Sequence, residues 1–143
     1  MKPSKLLVYC EKNAWGQIRR LWREGRIDLV HFPYDAEDRR WHDKRGIPLA
    51  RPSLVTLDSE VRVTDPIRIS DAEGSDLHPR IARVLGKHPR DFDVRHFDSA
   101  YKSRAHVFVT CDTDLLDHAD ELYQLSGVHV VGPDELERLI DGW

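Results

Sequence analysis

Blocks of apolar and polar residues succeed one another along the chain, and their internal period switches between that of a strand and that of a helix. Lys5 to Cys10 (KLLVYC) is a short apolar run of mixed β-branched and aromatic type, which predicts a buried strand. Over Ala14 to Glu24, Trp15, Ile18, Leu21 and Trp22 recur at helical spacing while Arg19, Arg20 and Arg23 turn away. That pattern predicts an amphipathic helix, with Gly25 as its stop. Ile27 to Phe32 (IDLVHF) reads as a second strand. Strand, helix and strand joined by short connections form a βαβ unit, whose strands must be parallel.

The last third repeats the alternation. Asp93 to Arg104 carries Phe97, Ala100 and Tyr101 on one side and predicts a helix; His106 to Thr110 (HVFVT) predicts a strand. Asp114 to Leu125 places Leu115, Leu116, Ala119, Leu122 and Leu125 at helical spacing, and Val128 to Val131 is again strand-like. Pro133 and the acids after it suit the first turn of a closing helix. The centre is less regular. Ala36 to Arg45 is a charged stretch read as a helix carrying Trp41, Ile47 to Pro52 reads as loop, and Leu77 to His88 as a helix with Ile81, Val84 and Leu85 on one face. Ser53 to Ile69 fits two short strands or a helix plus a loop, and Asp71 to Asp76 a turn. The expectation is a single α/β domain over residues 1–143, a three-layer α/β/α sandwich around a mostly parallel sheet.

Length changes this picture little: 143 residues suit one core. No apolar run approaches the ~20 residues of a membrane span, and the start lacks the pattern of a secretory signal, so the expected location is cytoplasmic, with no membrane partner. Charge adds an asymmetry. Residues 1–52 hold 12 Lys/Arg against 7 Asp/Glu, whereas residues 105–143 hold 1 against 9. Such segregation suits either a basic surface for a polyanion or faces that pair on folding. Cys10 and Cys111 show no metal-like spacing and read as free thiols.

The chemistry concentrates where strands end. In a parallel sheet, ligands gather outside the carboxyl ends of the strands. Glu11 follows the first strand, Asp112 and Asp114 follow His106 to Thr110, and Asp93 opens the helix before that strand. Asp93, Asp112 and Asp114 also suit helix N-termini, but Asp112 continues straight from a strand end, which favours the cleft. Carboxylates that converge need neutralising, and an all-oxygen set suits magnesium or manganese. Thr110 reads as a residue orienting the site or simply as a β-branched strand residue. His96 and His106 read as packing or surface groups.

The order and local sequence of these pieces resemble the PIN-domain family. VYCEKNAW (Val8 to Trp15) is similar to its opening strand–Asp–x–Asn–helix motif, with Glu11 at the acid and Asn13 at the Asn. DVRHFDSA (Asp93 to Ala100) looks like its Asp-led helix, and FVTCDTDLL (Phe108 to Leu116) resembles its strand–Thr–x–Asp–x–Asp turn. The likeness covers about residues 5–32 and 90–140. It implies a PIN-like fold and a divalent-metal-dependent ribonuclease using Mg2+ or Mn2+, with Glu11, Asp93, Asp112 and Asp114 as catalytic and metal-holding acids and Asn13 and Thr110 orienting them. It also implies a further acid on a central helix, for which Glu60 is the candidate by position and Asp58, Asp71, Glu73 and Asp76 stay open. Small members are often toxins, so an antitoxin protein and a homodimer are expected partners beside the RNA substrate. Arg19, Arg20, Arg23, Arg39, Arg40 and Trp41 form the candidate RNA-binding group, with the solvated face of amphipathic helices as the plainer reading. Glu11 is one methylene longer than the family's Asp, and a catalytically degenerate module that binds RNA or a protein is the alternative.

Overall fold

The computed structural model describes residues 5–55 and 69–143. Four strands, β1 (Leu6–Cys10), β2 (Ile27–Val30), β3 (Val107–Val109) and β4 (His129–Val131), form one sheet in the order β2-β1-β3-β4. Every pairing is parallel: Leu6 is opposite Ile27, Tyr9 opposite Phe108, and Phe108 opposite Val130. Seven helices are seen among the described residues: α1 (Trp15–Arg23), α2 (Ala36–Arg45), α3 (His78–Leu85), α4 (Phe92–Lys102), α5 (Thr113–Leu116), α6 (Ala119–Ser126) and α7 (Pro133–Asp141).

The period of two along β1 creates the layers. Leu6, Val8 and Cys10 point into one core with Ile18 and Leu21 of α1 and Leu136 of α7. Tyr9 points the other way, into a core with Phe108, Ile81 of α3, Val94 and Phe97 of α4 and Leu122 of α6. The sheet therefore lies between two helical layers, as the alternating pattern predicts. Each fully buried Leu, Ile or Phe contributes about 2 kcal/mol relative to exposure.

Charge segregation resolves into pairing across the α1–α7 layer. Arg20 and Arg26 both reach Glu137, at 3.0 and 3.1 Å, and Arg26 also reaches Asp141 at 3.2 Å. The basic start and acidic end of the chain thus meet on the face away from α4.

Three elements depart from expectation. The single helix predicted over Asp114 to Leu125 is two, α5 and α6, broken at His118, which leaves helical geometry. Leu115 and Leu122 stay buried on both sides of the break, so the apolar spacing survives it. Asp91, not Asp93, is the N-cap of α4; its side chain accepts from the Asp93 N–H. The stretch after α2, expected as loop, touches the sheet edge through one parallel bridge, Leu49 with His31. The alternatives for Ser53 to Ile69, and Asp58 and Glu60 with them, fall mostly on residues 56–68, outside the described residues.

Candidate active site

All four strands end at the same rim, and β1 lies between the strand that follows it and the strand that comes back on its other side. The order reverses there, and such a switch point is where parallel sheets form a crevice. Glu11 leaves β1 at this point, its N–H donating to the Val109 carbonyl of β3 at 3.1 Å. A cavity of about 190 Å³ opens beside it, lined among others by Glu11, Asn13, His31, Asp38, Asp93 and His96. Lys12, Asp35 and Phe92 stand exposed on its rim.

The wall on the β3 side is acidic. Asp93, Asp112 and Asp114 bring one carboxylate oxygen each to within 4.8 Å of one another. Asp112 also caps α5, accepting from the Asp114 N–H at 2.9 Å. The helix-capping reading therefore belongs to Asp112, while Asp114 stands one turn on and exposed. Lys87 spans the gap, its ammonium 2.6 Å from Asp93 Oδ2 and 3.0 Å from Asp114 Oδ2. Those contacts, the Asp93 bond foremost, raise the Lys87 pKa.

Glu11 is the centre of the strain. Its Oε1 is out of reach of solvent and has no hydrogen-bond partner. Burial first, then the charges of Asp93 and Asp112, push its pKa up to about 8; a hydrogen bond from Thr110 opposes them, and Asp38 adds to them. Thr110, wholly buried, thus serves two partners, because its hydroxyl oxygen also accepts from the Asp112 N–H at 2.9 Å. Burial, then the neighbouring Asp112, likewise raise Asp93 despite the opposing Lys87 bond. Asn13 ties the two loops together, its Oδ1 accepting from the Cys111 N–H at 3.1 Å. Cys10 is buried and Cys111 exposed, both free.

This set fits a hard divalent cation. The donors are all oxygens, as magnesium and manganese prefer. One of them is a buried, unpartnered carboxylate oxygen, which is expensive to leave unsatisfied.

The wall on the β2 side was hidden from the sequence. Asp38 and His42 are the buried residues of α2, four apart and so on one face. Asp35 caps that helix, accepting from the Asp38 N–H at 2.7 Å. Asp38 Oδ2 is 3.3 Å from His31 Nε2 and 3.8 Å from His96 Nε2. Burial acts to raise the Asp38 pKa, but the hydrogen bond and charge of His31, with His96, outweigh it and hold it below the ordinary value. Burial first, then the nearby His31, lower His96 to about 3 and His42 to about 4. His96, expected as packing or surface, lines the cavity one turn along α4 from Asp93. His106 is a packing group, as expected, its Nδ1 accepting from the Leu7 N–H at 2.8 Å.

Asp38 is an acid of the central stretch that lines the cavity. Among the central candidates that are described, Asp71 is buried against Arg51 and Lys102, and Asp76 meets Tyr101. None of Asp71, Glu73 and Asp76 lines the cavity, and Asp58 and Glu60 lie outside the described residues. One local signal did point to Asp38, the Asp35-x-x-Asp38 spacing of a helix start. Of the RNA-binding group, Arg19, Arg23 and Arg40 are exposed, while Arg20 pairs with Glu137. Arg39 lies over the Phe32 ring. Trp41 packs edge-on to Trp15 and His31 and takes Arg45 over its ring, so its faces are used within the protein.

Comparison with known proteins adds no relative: no family model matches the chain, and neither a curated protein nor a solved structure matches it. No helix among the described residues is long and apolar enough to cross a membrane.

Proposed function

We propose that the protein is a divalent-metal-dependent ribonuclease of PIN-like type acting on single-stranded RNA. The observation that carries this reading is Glu11, a buried carboxylate with an unpartnered oxygen, standing among Asp93 and Asp112 at the switch point of a parallel sheet. Glu11, Asp93 and Asp112 would hold a magnesium or manganese ion, with Asp114 beside them and Asp38 as the central acid. When bound, such an ion supplies a Lewis acid and an activated water for in-line phosphodiester hydrolysis.

The chain's own residues do the rest. Glu11 would be a ligand in its deprotonated form, and the hydrogen bond from Thr110 favours that carboxylate. The Asn13 bond to Cys111 N–H keeps the β1 and β3 loops in register, so that acids from two strands share one point. Asp112 uses Oδ1 for its cap and keeps Oδ2 for the cleft. At the rim, Phe92 is 48% exposed, an aromatic surface suited to a base, and Lys12, 3.0 Å from Glu37, is a cation on the same cavity.

The test is cleavage of a labelled single-stranded RNA by purified protein with magnesium and then manganese. Cleavage that disappears in Asp112→Asn is expected; equal traces from the wild type and that variant under both ions would reject the reading. One observation favours a second reading, a catalytically degenerate module that binds RNA or a protein: the Lys87 ammonium already neutralises Asp93 and Asp114. In that case calorimetry finds no manganese bound while RNA or a partner still binds.

A further inference from the structure

The β2 wall holds a second constellation, whose two histidines the ribonuclease reading does not use. His31 follows β2, Asp38 lies on α2 and His96 on α4, yet one donor atom of each lies within 4.8 Å of the others. The two rings present Nε2 to the same carboxylate oxygen, at 3.3 and 3.8 Å. Their other nitrogens are both engaged behind them. His31 Nδ1 is 2.9 Å from His42 Nδ1, and His96 Nδ1 is 2.6 Å from the Tyr9 hydroxyl. Imidazoles that bind metals are held in this way, with the distal nitrogen tied to a partner that sets the ring's orientation and tautomer.

Tyr9 shows that the required tautomer can be accommodated. Its oxygen accepts from the Phe32 N–H at 3.1 Å, and its hydroxyl can donate to the Phe32 carbonyl at 3.4 Å. The second lone pair of that oxygen then accepts from a protonated His96 Nδ1. His96 Nε2 is left with a lone pair toward the cavity. His42 Nδ1 can accept from His31 Nδ1 in the same manner, freeing the lone pair of His31 Nε2.

Distance and chemistry select the ion. Ligands ~2.05 Å from a tetrahedral ion stand about 3.3 Å apart, and those around an octahedral ion of similar radius about 2.9 Å. The observed 3.3 and 3.8 Å lie on the tetrahedral side. Two imidazoles and one carboxylate are also a borderline-soft set, which zinc accepts and magnesium does not favour. We propose that His31, Asp38 and His96 bind one divalent d-block cation of the zinc type, with the fourth position open to the cavity that Glu11 also lines. The site stands independently of the ribonuclease reading, with which it shares only that cavity and Asp38.

The experiment uses the full chain stripped with EDTA, then titrated with Co2+ followed by visible absorption and with Zn2+ by calorimetry. One cobalt ion with the intense bands of tetrahedral coordination is expected. His31→Gln and His96→Gln should each weaken cobalt binding at least 100-fold, while Asp112→Asn keeps it. In the wild type, the imidazole 15N resonances of two histidines should move on addition of zinc, a readout that does not depend on how the variants fold. The proposal is overturned if those resonances stay still, if wild type binds neither ion, or if both Gln variants bind cobalt as tightly as wild type, since the ion then sits on the carboxylate wall or on Cys111. Loss of RNA cleavage with cobalt binding intact would reject the ribonuclease reading alone.

Discussion

The two walls of the cleft stand on either side of the end of β1, toward β2 and toward β3, and differ in polarity. The β3 wall accumulates negative charge: Glu11, Asp93, Asp112 and Asp114, with one ammonium, Lys87, between two of them. The β2 wall sets a single carboxylate, Asp38, against two imidazoles, His31 and His96, and burial lowers the pKa of His96. One wall carries an excess of negative charge; the other sets ring nitrogens around one acid. Helices as well as strand ends supply these groups, Asp38 from α2 and Asp93 and His96 from α4.

Four experiments break or sharpen that contrast. The largest effect is on activity: Asp112→Asn should lower manganese-dependent RNA cleavage by more than about 100-fold, with single-turnover rates as the measure. His42→Phe, on the other wall, should leave the manganese stoichiometry unchanged.

The second is a pH dependence. Burial and the neighbouring acids raise the Glu11 pKa to about 8 in the folded protein, from an ordinary 4.5. The folded state therefore holds the extra proton, and its stabilising contribution is full below the unfolded value and lost as pH rises through the folded one. In EDTA, stability should fall between about pH 4.5 and 8 by at most about 5 kcal/mol, at ~1.4 kcal/mol per unit. Urea melts of Glu11→Gln should remove that slope. A slope unchanged in the variant would place the titration elsewhere.

The third concerns Lys87→Met, which takes away the only cation among the described acids of that wall. It should cost about 1 kcal/mol in EDTA, or roughly 3 °C in Tm, and strengthen manganese binding in calorimetry. Unchanged affinity would mean that the ammonium and the ion occupy different places. The smallest effect is Asp35→Ala. Loss of that cap should destabilise by about 1 kcal/mol in urea melts and weaken cobalt binding, because α2 carries Asp38. It should weaken manganese binding less than cobalt binding, because Glu11, Asp93 and Asp112 lie on other elements.

Much of the fold was legible because β1, β2, β3 and β4 are apolar runs and α1, α3 and α7 show clear apolar stripes. The β3 wall was legible for a related reason: Glu11, Asp112 and Asp114 follow strands directly, and Asp93 begins a helix. The β2 wall was not. The buried residues of α2 are Asp38 and His42, so hydrophobic periodicity says nothing about which side faces inward. His31, Asp38 and His96 come from three elements, and only the folded topology brings them together. Glu60, the candidate by position, lies outside the described residues, whereas Asp38 sits in a charged stretch with no apolar stripe to mark its inner face. Trp41 looked like a stacking surface for the same reason, since nothing in its neighbourhood announces that Trp15 and His31 pack against it.

One buried carboxylate on α4 has a consequence for the cost of closing this chain. Asp98 accepts from Ser53 Oγ at 2.7 Å and from the Ser75 N–H at 3.0 Å. One turn on, Lys102 Nζ donates to the carbonyls of Pro52, Ser70 and Glu73, at 2.7, 3.2 and 2.9 Å. The polypeptide on either side of residues 56–68 is thus fastened to the same two side chains, like both ends of a cord tied to one post. With both ends held on one helix, closing the loop between them grows only slowly more expensive with its length, so Asp98 and Lys102 are the two side chains whose loss would raise that cost.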